Sequence, residues 1–219
     1  MSTNQCLNSR AGRARCDAIR GFTLIELLVV IVLLGILLAL ALPSFNAVLQ
    51  RYRVGMAASQ IANALQFARA EAIRTRVSVS VTKSNVPESG CADSGEDADW
   101  RCGVSVHAGA GGALLKTIPA SSLGAVRVRV APASGGAAAA GGPAAVSYSP
   151  FGHACQAASA TLPCVGNAPG GFDHFIHVWP AALGDSPATA AVASTVCAGM
   201  AGRVWVVSSY VTDMTQCGN

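Results

Sequence analysis

The carboxylate of Glu26 lies inside a run of apolar residues, where a charge is costly. The run covers residues 22–42, and besides Glu26 only Thr23 and Gly35 interrupt it. As a helix rising about 1.5 Å per residue, the run spans about 31 Å, the thickness of a bilayer's hydrocarbon core. An acid in such a helix costs roughly 2.5 to 3.5 kcal/mol near the membrane centre and less toward the ends. Because a buried charge is tolerated when it is paired, the sequence predicts a cationic partner for Glu26.

Cysteines are the second group of residues that could do chemistry. Cys6 and Cys16 precede the apolar run, and six more follow it. Six cysteines allow fifteen pairings, so the connectivity stays open. Proximity along the chain favours three short loops, closed by Cys91–Cys102, Cys155–Cys164 and Cys197–Cys217. The sequence has no C-x-x-C motif, which argues against a zinc ribbon and against thioredoxin-type chemistry.

Histidine and acidic side chains are potential metal ligands, but their spacing does not favour a site. His174 and His177 are three residues apart on a predicted strand, so their side chains lie on opposite faces. A group of acids lies between Pro87 and Trp100, namely Glu88, Asp93, Glu96, Asp97 and Asp99. Their spacing is not that of an EF-hand, so a solvated loop is favoured over a calcium site. We therefore expect no metal.

The sequence lacks the common motifs of catalysis. It has no nucleophile elbow, P-loop, HExxH motif or dinucleotide fingerprint. The sequence therefore predicts neither an enzyme nor a bound cofactor. Its composition, 52% hydrophobic and 12% charged, excludes intrinsic disorder and supplies ample material for a core.

Overall charge does not favour a nucleic-acid binder, because the formal net charge is only +4. A local site stays open. Arg127 and Arg129 alternate along one predicted strand, so both guanidinium groups project from one face about 7 Å apart. The alternative is that both are ordinary solvent-facing strand residues.

The residues before the apolar run determine its orientation. They include four arginines and one acid, namely Arg10, Arg13, Arg15, Arg20 and Asp17. By the positive-inside rule this flank stays in the cytoplasm and the chain after Leu42 is exported, into a compartment where disulfides persist. Two simple interpretations are a signal peptide cleaved after Ala41 and an uncleaved signal anchor. The run is longer than a signal-peptide core, and neither interpretation explains Glu26.

The residues GFTLIE at positions 21–26, after a basic leader and before an apolar helix, favour a third interpretation. This segment resembles the class III signal peptide of type IV pilins and type II secretion pseudopilins. The resemblance implies that a prepilin peptidase cleaves between Gly21 and Phe22 and methylates the new amino group of Phe22. It also implies that Glu26 pairs with the amino terminus of a neighbouring subunit during assembly. Pro43 matches the family's proline, which bends or loosens the helix.

The chain after the membrane segment changes from helical to strand periodicity. Residues 44–76 carry two apolar stripes at helical spacing, Phe45, Leu49, Tyr52 and Met56, then Ile61, Leu65, Ala68 and Ala72. From Val77 the period is two, and strands are predicted within residues 77–82, 104–106, 126–130, 172–179 and 203–211. An alanine- and glycine-rich loop is predicted at residues 131–145. We therefore predict an α+β fold, with one long N-terminal helix packed on an antiparallel sheet.

Two further segments narrow the resemblance. The residues FARAEAI at positions 67–73 lead directly into a valine-rich strand, and YSPFG at positions 148–152 has the form of a strand followed by a turn. Both resemble the GspH/FimT group of minor pilins and pseudopilins, which implies a pilin-like fold. Ala68 and Ala72 then permit close helix packing, while Arg69 and Glu71 are expected to face solvent.

The resemblance implies an assembly function rather than catalysis. The expected segments are a cleaved leader at 1–21, a transmembrane and assembly helix at 22–42, an amphipathic helix at 43–76 and a disulfide-stapled periplasmic β head at 77–219. The implied partners are the prepilin peptidase, the bacterial inner membrane and other pilins or pseudopilins. The chain is expected to cross the inner membrane once and then to enter a filament, which it helps to start or cap. The sequence does not separate a type IV pilus from a type II secretion system.

The same resemblance allows an alternative function in DNA uptake. Some FimT-type pilins bind DNA through a C-terminal Gly-Arg-x-Arg element. This chain has Gly202 and Arg203, but Trp205 stands in the place of the second arginine. An aromatic ring can stack on an exposed base. Because cleavage after Gly21 would leave 11 basic and 10 acidic side chains, any contact with DNA must be local.

Overall fold

The computed structural model describes residues 22–84, 91, 95–96, 98–109, 112–132, 145–156, 173–184 and 192–217, without the side chains of residues 40–44, 132 and 156. The chain forms two compact units, Met1–Phe45 and Asn46–Asn219. Helix α1 extends over Leu24–Thr75 and contributes to both units. Most of the predicted alanine- and glycine-rich loop, residues 133–144, lies outside the described residues.

Both ends of α1 follow from local sequence. At its start, the side-chain Oγ1 of Thr23 accepts a hydrogen bond from the backbone N–H of Glu26 at 3.2 Å, as an N-cap does. Glu26 lies in the first turn and Arg74 in the last, where their charges complement the helix dipole. The helix ends at Thr75, and the next residue, Arg76, has a left-handed backbone with φ of 56° that cannot continue it.

Within the second unit, α1 buries a face made largely of alanine. The predicted second stripe is confirmed, because its four residues are fully buried, namely Ile61, Leu65, Ala68 and Ala72. The first stripe is wrong as a core-facing surface, because Tyr52 is 65% exposed and Met56 is 46% exposed. Val54, Ala57 and Ala58 contribute to the core instead. Apolar spacing identifies a face that avoids water, but it does not say which molecule covers that face.

The described part of the chain contains nine strands, which pair in antiparallel fashion. They are β1 Val79–Lys83, β2 Gly103–Ala108, β3 Leu114–Pro119, β4 Val126–Pro132, β5 Ala145–Tyr148, β6 Ala154–Gln156, β7 His174–Pro180, β8 Ser194–Ala198 and β9 Val204–Val207. A short helix, α2, covers Ala120–Leu123, and 3-10 turns cover Ala181–Leu183 and Met214–Gln216.

The strands form two sheets, with the orders β3-β2-β1-β5-β6 and β4-β7-β8-β9. The predicted α+β class is confirmed, but strand periodicity did not reveal this division. Four predicted strands correspond to β1, β2, β4 and β7, whereas the run at 203–211 forms a strand only over Val204–Val207. The sequence did not predict β8, because all five of its residues are buried and no alternation remains to be detected.

One hydrophobic core joins α1 to both sheets and contains the fully buried Trp100 and Tyr148. A second, smaller cluster lies on the other face of the second sheet. It contains Phe175 and Cys197 from the strands and Val211 from the segment at residues 208–217. The C-terminal segment therefore covers the outer face of this sheet.

Candidate functional site

The segment from Phe22 to Leu38 carries a continuous apolar surface. Each of its large apolar side chains is between 45% and 82% exposed. Glu26, in the first helical turn, forms no ion pair with any residue that the structure describes. The segment is therefore an uncovered apolar surface that carries one carboxylate.

Three residues that the sequence assigned to processing and assembly lie in or near this segment. Phe22 is 80% exposed. Gly21 lies outside the described residues, and so does the side chain of Pro43, whose backbone belongs to α1. Among the described residues, no helix has a stretch both long and apolar enough to cross a membrane.

Arg127 and Arg129 lie on β4 and line one groove with a volume of about 330 Å³. The groove also contains Glu96, Asp99 and Arg101. The Nη2 atom of Arg129 is 3.2 Å from Oε2 of Glu96, and Arg101 forms an ion pair with Asp99. The guanidinium groups of Arg129 and Arg101 are thus paired with acids, so this surface is less basic than the sequence indicated.

The acidic loop before Trp100 is not simply solvated, so that prediction was wrong in part. The backbone N–H of Trp100 donates to the carbonyl of Val128 at 2.9 Å, and the N–H of Val130 donates to the carbonyl of Ala98 at 2.9 Å. These bonds place residues 98–100 along the edge of β4 and hold the acids near its arginines. Three of the acids lie outside the described residues, namely Glu88, Asp93 and Asp97.

Arg203 and Trp205 form the other predicted cationic surface, at the start of β9. The guanidinium carbon of Arg203 lies 5.2 Å from the centroid of the Trp205 ring, which is a cation–π arrangement. Arg203 is exposed and pairs with no acid in the described part of the chain. The ring is also close to the backbone, because a Cβ at Gly199 would lie 3.0 Å from one of its carbon atoms. Trp205 therefore packs near a glycine and carries an exposed cation.

Arg69 does not face solvent as predicted but binds two turns of the head. Its Nε donates to the carbonyl of Gly152 at 3.1 Å, and its Nη2 donates to the carbonyl of Ala201 at 3.1 Å. The first turn joins β5 to β6 in one sheet, and the second joins β8 to β9 in the other. Arg69 therefore connects the end of α1 to both sheets.

Glycines make these two turns possible. Gly152 and Gly202 have φ of +80° and +75°, a left-handed backbone that other residues adopt at a cost. A Cβ at Gly202 would lie 2.0 Å from the carbonyl oxygen of Gly152 and 2.6 Å from Nε of Arg69. The backbone N–H of Ala154 also donates to the carbonyl of Met200 at 3.0 Å. The sequence contained a clue to this contact, since Gly152 ends the YSPFG segment and Gly202 precedes Arg203 in the Gly-Arg pair. It did not reveal that Arg69 joins the two turns.

His174 and His177 are buried within β7. The ring of His177 packs against Tyr210 with a centroid distance of 4.6 Å, and its Nδ1 lies 3.2 Å from Oγ1 of Thr195. The same hydroxyl donates to the carbonyl of Ser209 at 2.8 Å, which fastens the C-terminal segment. Burial lowers the pKa of His177 to about 4. Within the described ranges, no three metal-ligating side chains are grouped so that they could hold an ion.

The lowered pKa of His177 predicts that acid destabilises the head. Above about pH 6.5 both the folded and the unfolded chain carry neutral His177. As the pH falls from 6.5 toward 4, the unfolded chain binds a proton that the folded chain excludes, so the free energy of unfolding decreases. Between pH 7.5 and 4.5 we expect the unmodified protein to lose about 2 kcal/mol more than H177Q does. Urea denaturation at both pH values measures this difference, and equal losses would contradict it.

Disulfides staple the head at two described positions. Cys91 is bonded to Cys102, and Cys197 is bonded to Cys217. Both are among the pairs that proximity favoured. Cys155 is also disulfide-bonded, while Cys164, its expected partner, lies outside the described residues. The bond between Cys197 and Cys217 fastens the end of the chain to β8, next to the smaller hydrophobic cluster.

An exposed apolar helix start with one acid, joined to an antiparallel head, is the arrangement expected of a pilin-like subunit. The prokaryotic N-terminal methylation motif matches residues 17–42. The family model described as type II transport protein GspH matches residues 57–172. The chain belongs to the GspH family.

Two solved structures are similar to this chain in fold, both of the type IV minor pilin FimU from Pseudomonas aeruginosa. Their TM-scores are 0.42 and 0.46, each at 16% identity. The alignments cover 69% and 72% of this chain and 90% of each FimU chain. A search of curated protein sequences returned no match.

Proposed function

We propose that this protein is a minor structural subunit of a type IV pilus or of a type II secretion pseudopilus. The observation that carries the proposal is the methylation motif at residues 17–42, which coincides with the exposed apolar start of α1 and its single acid. A prepilin peptidase would cleave between Gly21 and Phe22 and methylate the new amino group. Before assembly the mature helix would be held in the inner membrane, with the head in the periplasm.

Assembly then depends on the pairing of one charge. In the filament, the apolar side chains of residues 22–38 pack against the helices of neighbouring subunits, which removes them from lipid or water. Glu26 enters the same apolar environment, and the amino terminus of an adjacent subunit neutralises it. As a minor component, the subunit sits at or near the tip and helps to start or cap the filament.

The amino terminus of the mature protein tests this proposal. Mass spectrometry of protein purified from assembled filaments should find a chain that starts at N-methylated Phe22. The variant G21V should instead remain unprocessed, because it replaces the glycine after which the proposed cut falls with a bulky, branched residue. A mature chain that starts at Leu42 would identify an ordinary secreted protein and contradict the proposal. An unprocessed leader in assembled filaments would contradict it as well.

DNA binding is the second candidate function, and the exposed Arg203 beside the half-buried Trp205 favours it. The cation is stacked on the ring and exposed, as a stacking platform for a base requires. The groove on β4 contributes less, because Glu96 pairs with Arg129 there.

A gel-shift titration with the purified, detergent-solubilised protein measures this second function. If Arg203 and Trp205 contact DNA, R203A should weaken binding to single-stranded DNA about tenfold, and W205L by a similar factor. The double variant R127A/R129A serves as the control and should change the affinity less than about threefold. No retardation by the unmodified protein at low salt would exclude a role as a DNA receptor.

A further inference from the structure

A polar groove lies beside the middle of α1, within the second unit. Its volume is about 480 Å³. Arg51 and Gly55, one helical turn apart, line it on the helix side, and residues 192–194 and 208–210 line the other side. The groove is separate from the β4 arginines and from the turns that Arg69 binds, and none of the functions described above uses it.

Gly55 has no explanation in the packing of the described chain. Glycine inside a helix costs about 1 kcal/mol relative to alanine. Gly152 and Gly202 are required because a Cβ there would collide with neighbouring atoms, but a Cβ at Gly55 would have no described atom within 4 Å. The absence of a side chain at this position therefore keeps the groove open, at a cost to the helix.

The chemistry of the groove suits a carboxylate. Arg51 is exposed, and within the described residues no acid pairs with it. The residues that line the other side include Ser194, Ser208, Ser209 and Tyr210, each of which has a hydroxyl group. The guanidinium group has only donors, and serine and tyrosine hydroxyls can donate as well as accept, so this set of side chains can donate to a carboxylate. Hydrogen bonds between a guanidinium group and a carboxylate are charge-assisted and are among the stronger ones.

The groove adjoins an apolar stripe that the head itself does not cover. Val48, Tyr52 and Met56 lie on the same stretch of α1 and are 60%, 65% and 46% exposed. An uncovered stripe beside an open polar groove has the composition of a protein interface, with apolar contacts and a charged group that determines register. The stripe belongs to the same helix whose apolar start packs against neighbouring subunits in the filament proposed above.

We infer that this groove receives an acidic segment of a neighbouring filament subunit. A carboxylate of that segment bonds to Arg51, and its backbone lies against Gly55, where a side chain would obstruct it. The inference rests on the proposed function, because it takes the occupant from the same filament. The occupant is another subunit rather than a small anion, because the groove and the stripe together form a surface far larger than an anion covers.

The variant G55L tests the groove directly. A Cβ at this position meets nothing within 4 Å, and leucine is a better helix former than glycine, so the thermal midpoint of the purified full-length protein should stay the same or rise. Incorporation of the variant into filaments should fall at least about fivefold, since the side chain occupies the space of the partner. If G55L instead lowers the thermal midpoint by more than about 4 °C, the chain itself fills the groove and the inference is overturned.

Charge reversal supplies the matched pair of variants. R51E should reduce incorporation at least about fivefold by placing an acid opposite an acid. Arg53 is also exposed but does not line the groove, so R53E should leave incorporation within about twofold of the unmodified protein. Equal losses for both variants would indicate a general charge effect and overturn the inference.

The unmodified protein separates failure of this inference from failure of the proposed function. If it enters filaments with processed Phe22 while G55L and R51E enter equally well, only the groove proposal fails. If the unmodified protein never enters filaments, the proposed function fails and the groove proposal fails with it. Binding of free glutamate by the purified protein, with normal incorporation of R51E, would show a small-anion site and also overturn the inference.

Discussion

E26L should enter filaments at least about tenfold less efficiently than the unmodified protein, a difference of about 1.4 kcal/mol. The carboxylate has no cation within the described chain, and it lies among side chains that are at least 45% exposed and available to other subunits. Replacing one partner of a buried ion pair leaves the other charge uncompensated, here the terminal amine of the adjacent subunit. Quantitative immunoblotting of sheared filaments against the membrane fraction measures the effect.

Retention in the membrane cannot explain such a loss. Leucine removes a costly charge from an apolar helix, so the precursor should insert at least as well as the unmodified protein. The head should also keep its thermal midpoint, because Glu26 belongs to the first compact unit and the head to the second.

A capping variant distinguishes pairing from a local role of Glu26 at the helix start. Thr23 accepts a hydrogen bond from the backbone N–H of Glu26, so T23V removes the cap but keeps the carboxylate. Loss of a cap costs about 1 kcal/mol of helix stability. A long helix in an apolar environment should stay helical despite this loss. T23V should therefore assemble within about threefold of the unmodified protein. If T23V and E26L reduce assembly equally, the role of Glu26 is to stabilise the start of the helix. If E26L assembles normally, Glu26 does not pair with the amino terminus of a neighbouring subunit.

G202A should destabilise the head by about 3 kcal/mol, a decrease of roughly 6 to 12 °C in the thermal midpoint. Two costs add up. The backbone of Gly202 has φ of +75°, where a side chain costs about 1 kcal/mol. The new Cβ would also lie 2.0 Å from a backbone oxygen of Gly152, so one of the two turns must move and weaken its hydrogen bond with Arg69. Thermal denaturation followed by circular dichroism measures the change.

Gly95 provides the matched control for this prediction. Its φ of +76° is almost the same, but a Cβ there would meet nothing within 4 Å. G95A should therefore cost only the backbone strain of about 1 kcal/mol. If the two variants lose equal stability, the contact between the two turns is not tight, and the role that we assign to Arg69 in joining the sheets is wrong.

Local sequence patterns predicted the long first helix, five of the nine described strands and the motif at the start of the helix. The change from a period of 3.6 to a period of two near Val77 separates α1 from β1, because side-chain direction repeats with the local backbone geometry. The residues GFTLIE and the apolar run after them identified the N-terminal methylation motif, since such a motif is a contiguous segment. The resemblance to the GspH group rested on short segments for the same reason, and the family match confirms it.

The same patterns could not predict which surfaces are covered. The stripe containing Tyr52 and Met56 has the same spacing as the buried stripe after it, yet it is exposed. Spacing records a preference to avoid water and is the same whether a sheet or another molecule provides the cover. In the same way β8, buried along its whole length, has no alternation to detect.

The sequence by itself determined the α+β class, the long first helix and the motif at its start, because each depends on residues close together in the chain. Only the tertiary structure decided what the charged side chains do. Arg69 binds carbonyl groups 83 and 132 residues away, and Arg129 meets an acid 33 residues before it. Such contacts depend on which strands become neighbours in the two sheets. Strand order results from packing of the whole chain and leaves no trace in local periodicity.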